Sequence, residues 1–580
     1  MATTEPNLEH NNDVHGNGYS NVNERKFGGN NNNNRNRYLI VSPKKAGKWS
    51  LFKYLALGDT KSGRKFLDSS EEEEKDGAVS YHRMVILMSI IVRRILAFIA
   101  KPLMYLGFVV DFFLNLLSEN GDFHGLLINF LHGKVKIPHR GSETYISTIG
   151  QLDGRIDLYK SEKLVKQIDD SVTVERSIKA EMGDLSLMDL SIMASKLAYE
   201  NARVVKNVVS NHWKMHFVDF YDCWNEYQKE SNTQVFICCD KPKDANLIVI
   251  SFRGTEPFNA CDWSTDIDFS WYEIPKVGKI HIGFLEALGL GNRDDADTFQ
   301  YHLQRQQRTN FNYYNGQDVT PMTNSTSESS ANTDSDKELS TWDNPSDSEG
   351  ANNTTKNRKI QLEMAKKSAY YAVTGKLKSL LKEHKNAKFV VSGHSLGGAL
   401  AILYPTVLMI QEEMELMEKL LGVYTFGQPR VGDVQLGKFM EAHLNNPIPK
   451  YFRVVYCNDV VPRVPFDDQI FSYKHFGVCL YYDSWFYMQK MEEQPNPNFF
   501  GLWYIMPLHL NAAWEILRSI AMGYTHGPEY REGWFSTFYR LIGLALPGIA
   551  AHSPRDYLNS VRLGKERSLH LSSIKSFLHK

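Results

Sequence analysis

The chain has 580 residues, with 66 Lys and Arg against 67 Asp and Glu, and a formal net charge of −1. At 42% hydrophobic and 23% charged it has the composition of an ordinary globular protein, and its length leaves room for several domains. So even a balance excludes a global field that recruits nucleic acid or an acidic membrane. The opening MATTEPNLEHNN lacks a basic start followed by an apolar run, so no secretory leader is expected. Cys223, Cys238, Cys239, Cys261, Cys457 and Cys479 are scattered without metal-ligand pairing and fit free core thiols in a reducing compartment.

Residues 1–37 are Asn-rich and poor in apolar side chains, so they cannot offset the entropy of ordering and read as a disordered tail. Residues 38–125 form an N-terminal region around Met84–Leu117, MVILMSIIVRRILAFIAKPLMYLGFVVDFFLNLL, which is apolar nearly throughout. Arg93, Arg94, Lys101 and Asp111 interrupt it, and Pro102 is expected to kink it. About 20 predominantly apolar residues span a bilayer, but these charges disfavour a span. The reading is a membrane-associating anchor lying in a lipid surface, with the arginine pair snorkelling to headgroups, ahead of a core helix or a transmembrane helix.

From about Gly183 helical and strand patterns alternate. Leu187, Leu190, Ala194 and Ala198 recur at helical spacing, and Gln234–Cys239 and Leu247–Phe252 read as buried strands. Residues 305–358 are a polar insert rich in Ser, Thr, Asn and Asp, expected to be a disordered loop. Helical spacing returns at Leu362, Ala365, Ala369, Val373, Leu377 and Leu380. A strand at Phe389–Val391, a helix from Ser395 and strands at Val423–Phe426 and Phe452–Tyr456 follow. Residues 183–304 and 359–580 therefore read as one α/β domain, a mostly parallel central sheet with helices on both faces.

Within KFVVSGHSLGGALAILYP lies Gly393-His394-Ser395-Leu396-Gly397, a G-x-S-x-G between an apolar strand and an Ala/Leu-rich helix. That context suits a nucleophile elbow: Ser395 sits on a strained strand-to-helix turn, and glycines keep the flanks clear. A serine hydroxyl needs a base and the base an orienting acid, in the chain order Ser, Asp, His. Asp459 in FRVVYCNDVVPRVP, just beyond a strand, is the best acid, with Asp433 as rival. For the base, His475, His509, His526, His552, His570 and His579 all follow, and none stands out by residue physics alone.

Four stretches, VISFRGT with the later Trp263 and Asp266, KIHIGF, VVSGHSLGGALA, and YTFGQPRVGD followed by YCNDVVPRVP, resemble the lipase class 3 family. The apolar N-terminal segment and FRGTEPFNACDWSTDIDFSWYEIPKVGKIHIGF are similar to the plant oil-body triacylglycerol lipases within it. The resemblance implies an α/β-hydrolase fold and a Ser395–Asp459–His552 triad, because HSPRDYLNSVRLG looks like the family's catalytic-histidine segment; His475 is the runner-up. It implies an oxyanion hole at Leu396, directly after the nucleophile, and at Thr255, through its N–H and its hydroxyl, with a mobile lid over Glu256–Tyr272. No metal or organic cofactor is needed. The implied activity is hydrolysis of triacylglycerols and related acyl lipids at a lipid-droplet or membrane surface, with the enzyme on the cytosolic face of the oil body or at the endoplasmic reticulum. Phospholipase A1 or galactolipase activity on membrane lipids would use the same triad, and a coat or scaffold protein would use none. A second apolar stretch, Phe499–Leu517 with Trp534, Phe535, Phe538 and Leu541–Leu546, fills the interval from Asp459 to His552 and offers an acyl pocket wall, a lipid contact or a cover for the N-terminal segment.

Overall fold

The computed structural model describes residues 37–566 apart from 46, 58, 64, 71–82, 160–184, 304–367, 467–471, 498 and 500–501. Residues 1–36 of the Asn-rich tail and the polar insert at 305–358, both expected to be disordered, lie outside the described residues, as do Leu362 and Ala365; Arg37, the last residue of the expected tail, is instead the first of a strand and pairs with Glu273.

A nine-stranded sheet runs in the order β15 (Lys565–Glu566), β14 (Tyr487–Met491), β13 (Val478–Tyr482), β11 (Tyr451–Tyr456), β9 (Leu420–Phe426), β8 (Lys388–His394), β5 (Leu247–Phe252), β4 (Glu230–Cys239), β3 (His216–Asn225). The five strands from β13 to β5 pair in parallel, while β4 and β3 continue antiparallel. Period-two alternation explains why the central strands read as continuous apolar runs. Ile248, Ile250 and Phe252 face one core and Val249 the other, as do Phe389 and Val391 against Val390. Helices α6 (Ala369–Glu383) and α7 (Leu396–Ile410) cover the first face, and α4 (Leu185–Leu197) and α10 (Pro554–Leu563) the second. This is the expected α/β-hydrolase arrangement. All six cysteines are unpaired, and all except Cys261 are buried.

A second sheet, all antiparallel, is absent from the sequence reading. Its order is β12 (Tyr473–Lys474), β10 (Gly432–Asp433), β7 (Gly278–His281), β6 (Trp271–Ile274), β1 (Arg37–Val41), β2 (Leu67–Ser69). Because β1 pairs with β6, the N-terminal region and the hydrolase portion share one sheet.

The apolar segment forms one helix, α1 (Arg83–Asn120), which runs through Pro102 and is followed by α2 (Asp122–Leu131). It is long and apolar enough to cross a membrane. One face nevertheless docks on the protein. Ser89 Oγ donates to Ile267 O, a Cβ at Gly107 would sit 2.7 Å from Phe258, and Asn115 Nδ2 donates to Ile146 O. Three of the four interrupting charges, Arg93, Arg94 and Asp111, are used on that face, which corrects the snorkelling expectation for the arginine pair, while Lys101 is exposed. Arg93 is buried, 2.9 Å from Asp268 Oδ1 and 3.1 Å from Val41 O, and Arg94 donates to Pro43 O. Asp111 accepts from Thr148 on α3 (Thr148–Leu152). The opposite face leaves Phe98 86% exposed, with Tyr105 and Val109 beside it.

Candidate active site

Ser395 follows β8 with φ 60° and ψ −132°, a strained conformation, and α7 starts at the next residue. The turn closes because of its glycines. A Cβ on Gly393 would fall 2.1 Å from Gly397 O, and one on Gly397 would fall 2.3 Å from Phe252 O. Leu396 is the first residue of α7, so its N–H has no acceptor within the helix and is available to an external anion.

Asp459 lies just past the end of β11, fully buried. Its Oδ2 is 2.7 Å from His552 Nδ1, and its Oδ1 accepts from Val461 N at 2.9 Å. An acceptor carboxylate takes the Nδ1 hydrogen, so Nε2 of the neutral ring keeps its lone pair. That atom is buried, with no hydrogen-bond partner among the described residues. Tyr557, one turn into α10, donates its hydroxyl to the same Oδ2. Gly427, with φ +59°, is required beside the pair: a Cβ there would sit 2.8 Å from His552 Cε1 and 2.9 Å from Asp459 Oδ2.

His394 of the elbow is tied to the histidine loop. Its Nε2 is 3.0 Å from His552 O and its Nδ1 2.8 Å from Tyr199 OH. Burial and the neighbouring His552 ring hold its pKa well below the usual range, so the ring is neutral. A carbonyl only accepts, so Nε2–H donates to His552 O and Nδ1 accepts from Tyr199.

Thr255 follows β5 at the Arg253-Gly254 turn and lines the same cavity as Ser395 and His552. Its hydroxyl donates to Asp266 Oδ2 at 2.8 Å, which leaves its N–H as the group free of that bond. Burial pushes the Asp266 carboxyl up to about 8. The cavity measures about 50 Å³. Pro257 and Trp263, beside and on α5 (Ala260–Asp266), line it together with Tyr539 and Ile549. The expected lid over Glu256–Tyr272 is divided in the structure. Phe269, Trp271 and Tyr272 are buried, the last two in β6, while Pro257 and Trp263 are half-buried at the cleft and Phe258 is half-buried against Gly107 of α1.

The rival residues sit elsewhere. Asp433 Oδ1 caps the helix Val434–Leu444 through Leu436 N at 2.9 Å. His475 Nε2 is 2.6 Å from Pro462 O, and the residue does not line the cavity. Sequence reasoning gave no role to Tyr199, Gly427 or Tyr557, although Gly427 and Tyr557 lie inside the stretches YTFGQPRVGD and HSPRDYLNSVRLG.

The arrangement can activate a hydroxyl and hold an oxyanion, which suits acyl transfer. Residues 249–469 match the family model described as Lipase (class 3). The chain is 56% identical over 554 residues to the triacylglycerol lipase OBL1 of Nicotiana tabacum, covering 93% of this chain and 96% of that one. It is 53% identical over 553 residues to the triacylglycerol lipase OBL1 of Arabidopsis thaliana, covering 94% and 98%. The Rhizomucor miehei lipase propeptide complex aligns with 54% of this chain and 70% of its own at 19% identity and a TM-score of 0.28, and adds no weight. On the near full-length identity to the plant enzymes, the chain belongs to the class 3 lipase family, alongside the OBL1 triacylglycerol lipases.

Proposed function

We infer that the chain is a triacylglycerol lipase, a serine ester hydrolase that releases fatty acids from acylglycerols. The single observation that carries the mechanism is the hydrogen bond of 2.7 Å between His552 Nδ1 and Asp459 Oδ2 in the cavity that Ser395 lines. His552 Nε2 takes the Ser395 Oγ proton as Oγ attacks the ester carbonyl, and Asp459 stabilises the imidazolium. The N–H groups of Leu396 and Thr255 hold the resulting oxyanion; one such donor contributes about 2.7–4 kcal/mol to the transition state. Collapse breaks the ester C–O bond, and His552 protonates the departing diacylglycerol oxygen. Water, deprotonated by His552, then attacks the acyl-enzyme, and Ser395 regains its proton as the fatty acid leaves. Di- and monoacylglycerols fit the same chemistry.

Pro257 and Trp263 line the cavity beside Ser395, so a shift of this segment would change the room open to an acyl chain. The exposed apolar face of α1 supports placement on the cytosolic face of an oil body, with the endoplasmic reticulum as the other membrane it suits. A helix docked along one side suits a surface position better than a span.

Ser395→Ala should abolish fatty acid release from emulsified trioleoylglycerol while binding to the droplets persists. Activity near that of the parent chain would overturn the nucleophile assignment. A panel of phospholipid and galactolipid substrates separates this reading from a membrane-lipid hydrolase.

A further inference from the structure

Two helices inserted between Asp459 and His552, α8 (Leu502–Thr525) and α9 (Trp534–Ala545), are built inside out. Together they carry three charged side chains, Glu515, Arg518 and Arg540, and all three are buried. The outward faces are apolar: Trp503 is 93% exposed, and Met506, Leu510, Leu517, Phe538 and Leu541 are exposed with it.

The inner side is a closed ionic network. Arg540 Nη2 lies 2.7 Å from Glu532 Oε1 and 2.8 Å from Asp556 Oδ1, Arg518 Nη2 lies 3.3 Å from Asp556 Oδ1, and Tyr456 OH donates to Glu515 at 3.0 Å. Taking ions out of water is costly even when they are paired. In water the stable arrangement turns such helices the other way, with charges out and apolar faces in. This arrangement is favoured where the outer medium is itself apolar.

The face also has a position. Phe113 of α1 meets Phe123 of α2 with ring centroids 6.1 Å apart, and Phe123 meets Trp534 of α9 at 5.5 Å. The apolar face of α9 is thus continuous with that of the membrane-length helix. From the other side of α9, Tyr539 walls the cavity of Ser395.

We propose that α8 and α9 are a second lipid-docking element, which lies in the phospholipid-covered surface of a triacylglycerol droplet beside α1 and turns the Ser395 cleft toward it. This rests on the lipase reading above. Helix α1 would tether the enzyme; α8 and α9 would set its orientation. Because the outward face carries no Lys, Arg, Asp or Glu, its docking should not depend on salt or on anionic lipid at neutral pH.

The test uses the full chain with α1 intact and the triple variant Trp503→Ser, Met506→Ser, Leu510→Ser. These side chains are exposed, and the melting temperature reports that the fold is kept. Flotation with phosphatidylcholine-coated trioleoylglycerol droplets at low and high salt is measured beside hydrolysis of the same droplets and of a soluble short-chain ester. The expected result is a loss of about tenfold or more in droplet partition and in droplet hydrolysis, since burial of these large apolar side chains drives the partition. Short-ester hydrolysis should stay within about twofold, and parent binding should be insensitive to salt. Partition and droplet hydrolysis equal to those of the parent would overturn the proposal. So would unchanged droplet binding together with loss of a self-associated species in sedimentation, which would make the face a contact between copies. A parent chain that neither floats nor hydrolyses the droplets would overturn the lipase reading itself, and this proposal with it.

Discussion

Arg93 on the long apolar helix and Asp268, two residues past the helix over the cleft, form a buried ion pair at 2.9 Å. Arg93 also bonds Val41 O on β1, and Asp268 is shared with Arg293. Through Arg93, one carboxylate thus links the long apolar helix, the small sheet and the segment that follows α5.

The two partners of this pair should not be equivalent. Arg93→Met should cost about 3 kcal/mol, because Asp268 keeps Arg293. Asp268→Asn should cost more, because it leaves two buried guanidinium groups facing each other. Urea unfolding of both variants checks the order; equal losses would mean that Arg93 and Asp268 act independently.

Tyr557→Phe tests the support of the acid. It removes the hydroxyl that donates to Asp459 Oδ2 and leaves the ring packed in the core. With one charge-assisted hydrogen bond lost, kcat should fall about tenfold, with KM changed by less than about twofold, because the group touches no substrate. Steady-state kinetics on a soluble ester separates the two parameters.

Gly427→Ala should inactivate without unfolding. The new Cβ would occupy space within 2.9 Å of both His552 and Asp459, at a φ of +59°. Displacing the pair by such a distance should lower kcat by about 100-fold. Activity on a short-chain ester, alongside circular dichroism, checks this; a variant that keeps its activity would show that the loop yields.

Stability should fall as pH rises through the neutral range. The Asp266 carboxyl is raised to about 8, and Asp262 and Glu200 to about 7, each chiefly by burial. In the unfolded chain such groups titrate near 4. Between those values the folded state binds more protons than the unfolded state, so stability is lost with increasing pH and the loss levels off above about 8. Asp266→Asn keeps a neutral group of the same shape behind Thr255. It should flatten the decline in melting temperature between pH 6 and pH 9, as read by differential scanning calorimetry. A parent chain with a constant melting temperature over that range would refute the linkage.

The central sheet and its helices were legible because their local patterns agree with their burial. Leu247–Phe252 is strand to the residue, and the helix expected from Ser395 begins at Leu396. The elbow was legible for the same reason: G-x-S-x-G describes a local turn, so its residues are adjacent in the chain. The small antiparallel sheet was not, because β10 and β12 are two residues each and exist through partners far away in sequence.

The sequence by itself determined the elbow at Ser395, the apolar character of Met84–Leu117 and the family, since each is written in contiguous residues. Residue physics left the histidine open and the resemblance named His552; the fold sets it against Asp459 across 93 residues, and tertiary structure alone decided that Tyr557, Tyr199 and Gly427 crowd around them. It also decided that Arg93 turns inward to Asp268, and that the charges of α8 and α9 are buried while their apolar side chains face out. Composition states how many apolar and charged side chains a helix has. Which side each faces depends on what packs against it, and that is a property of the folded chain.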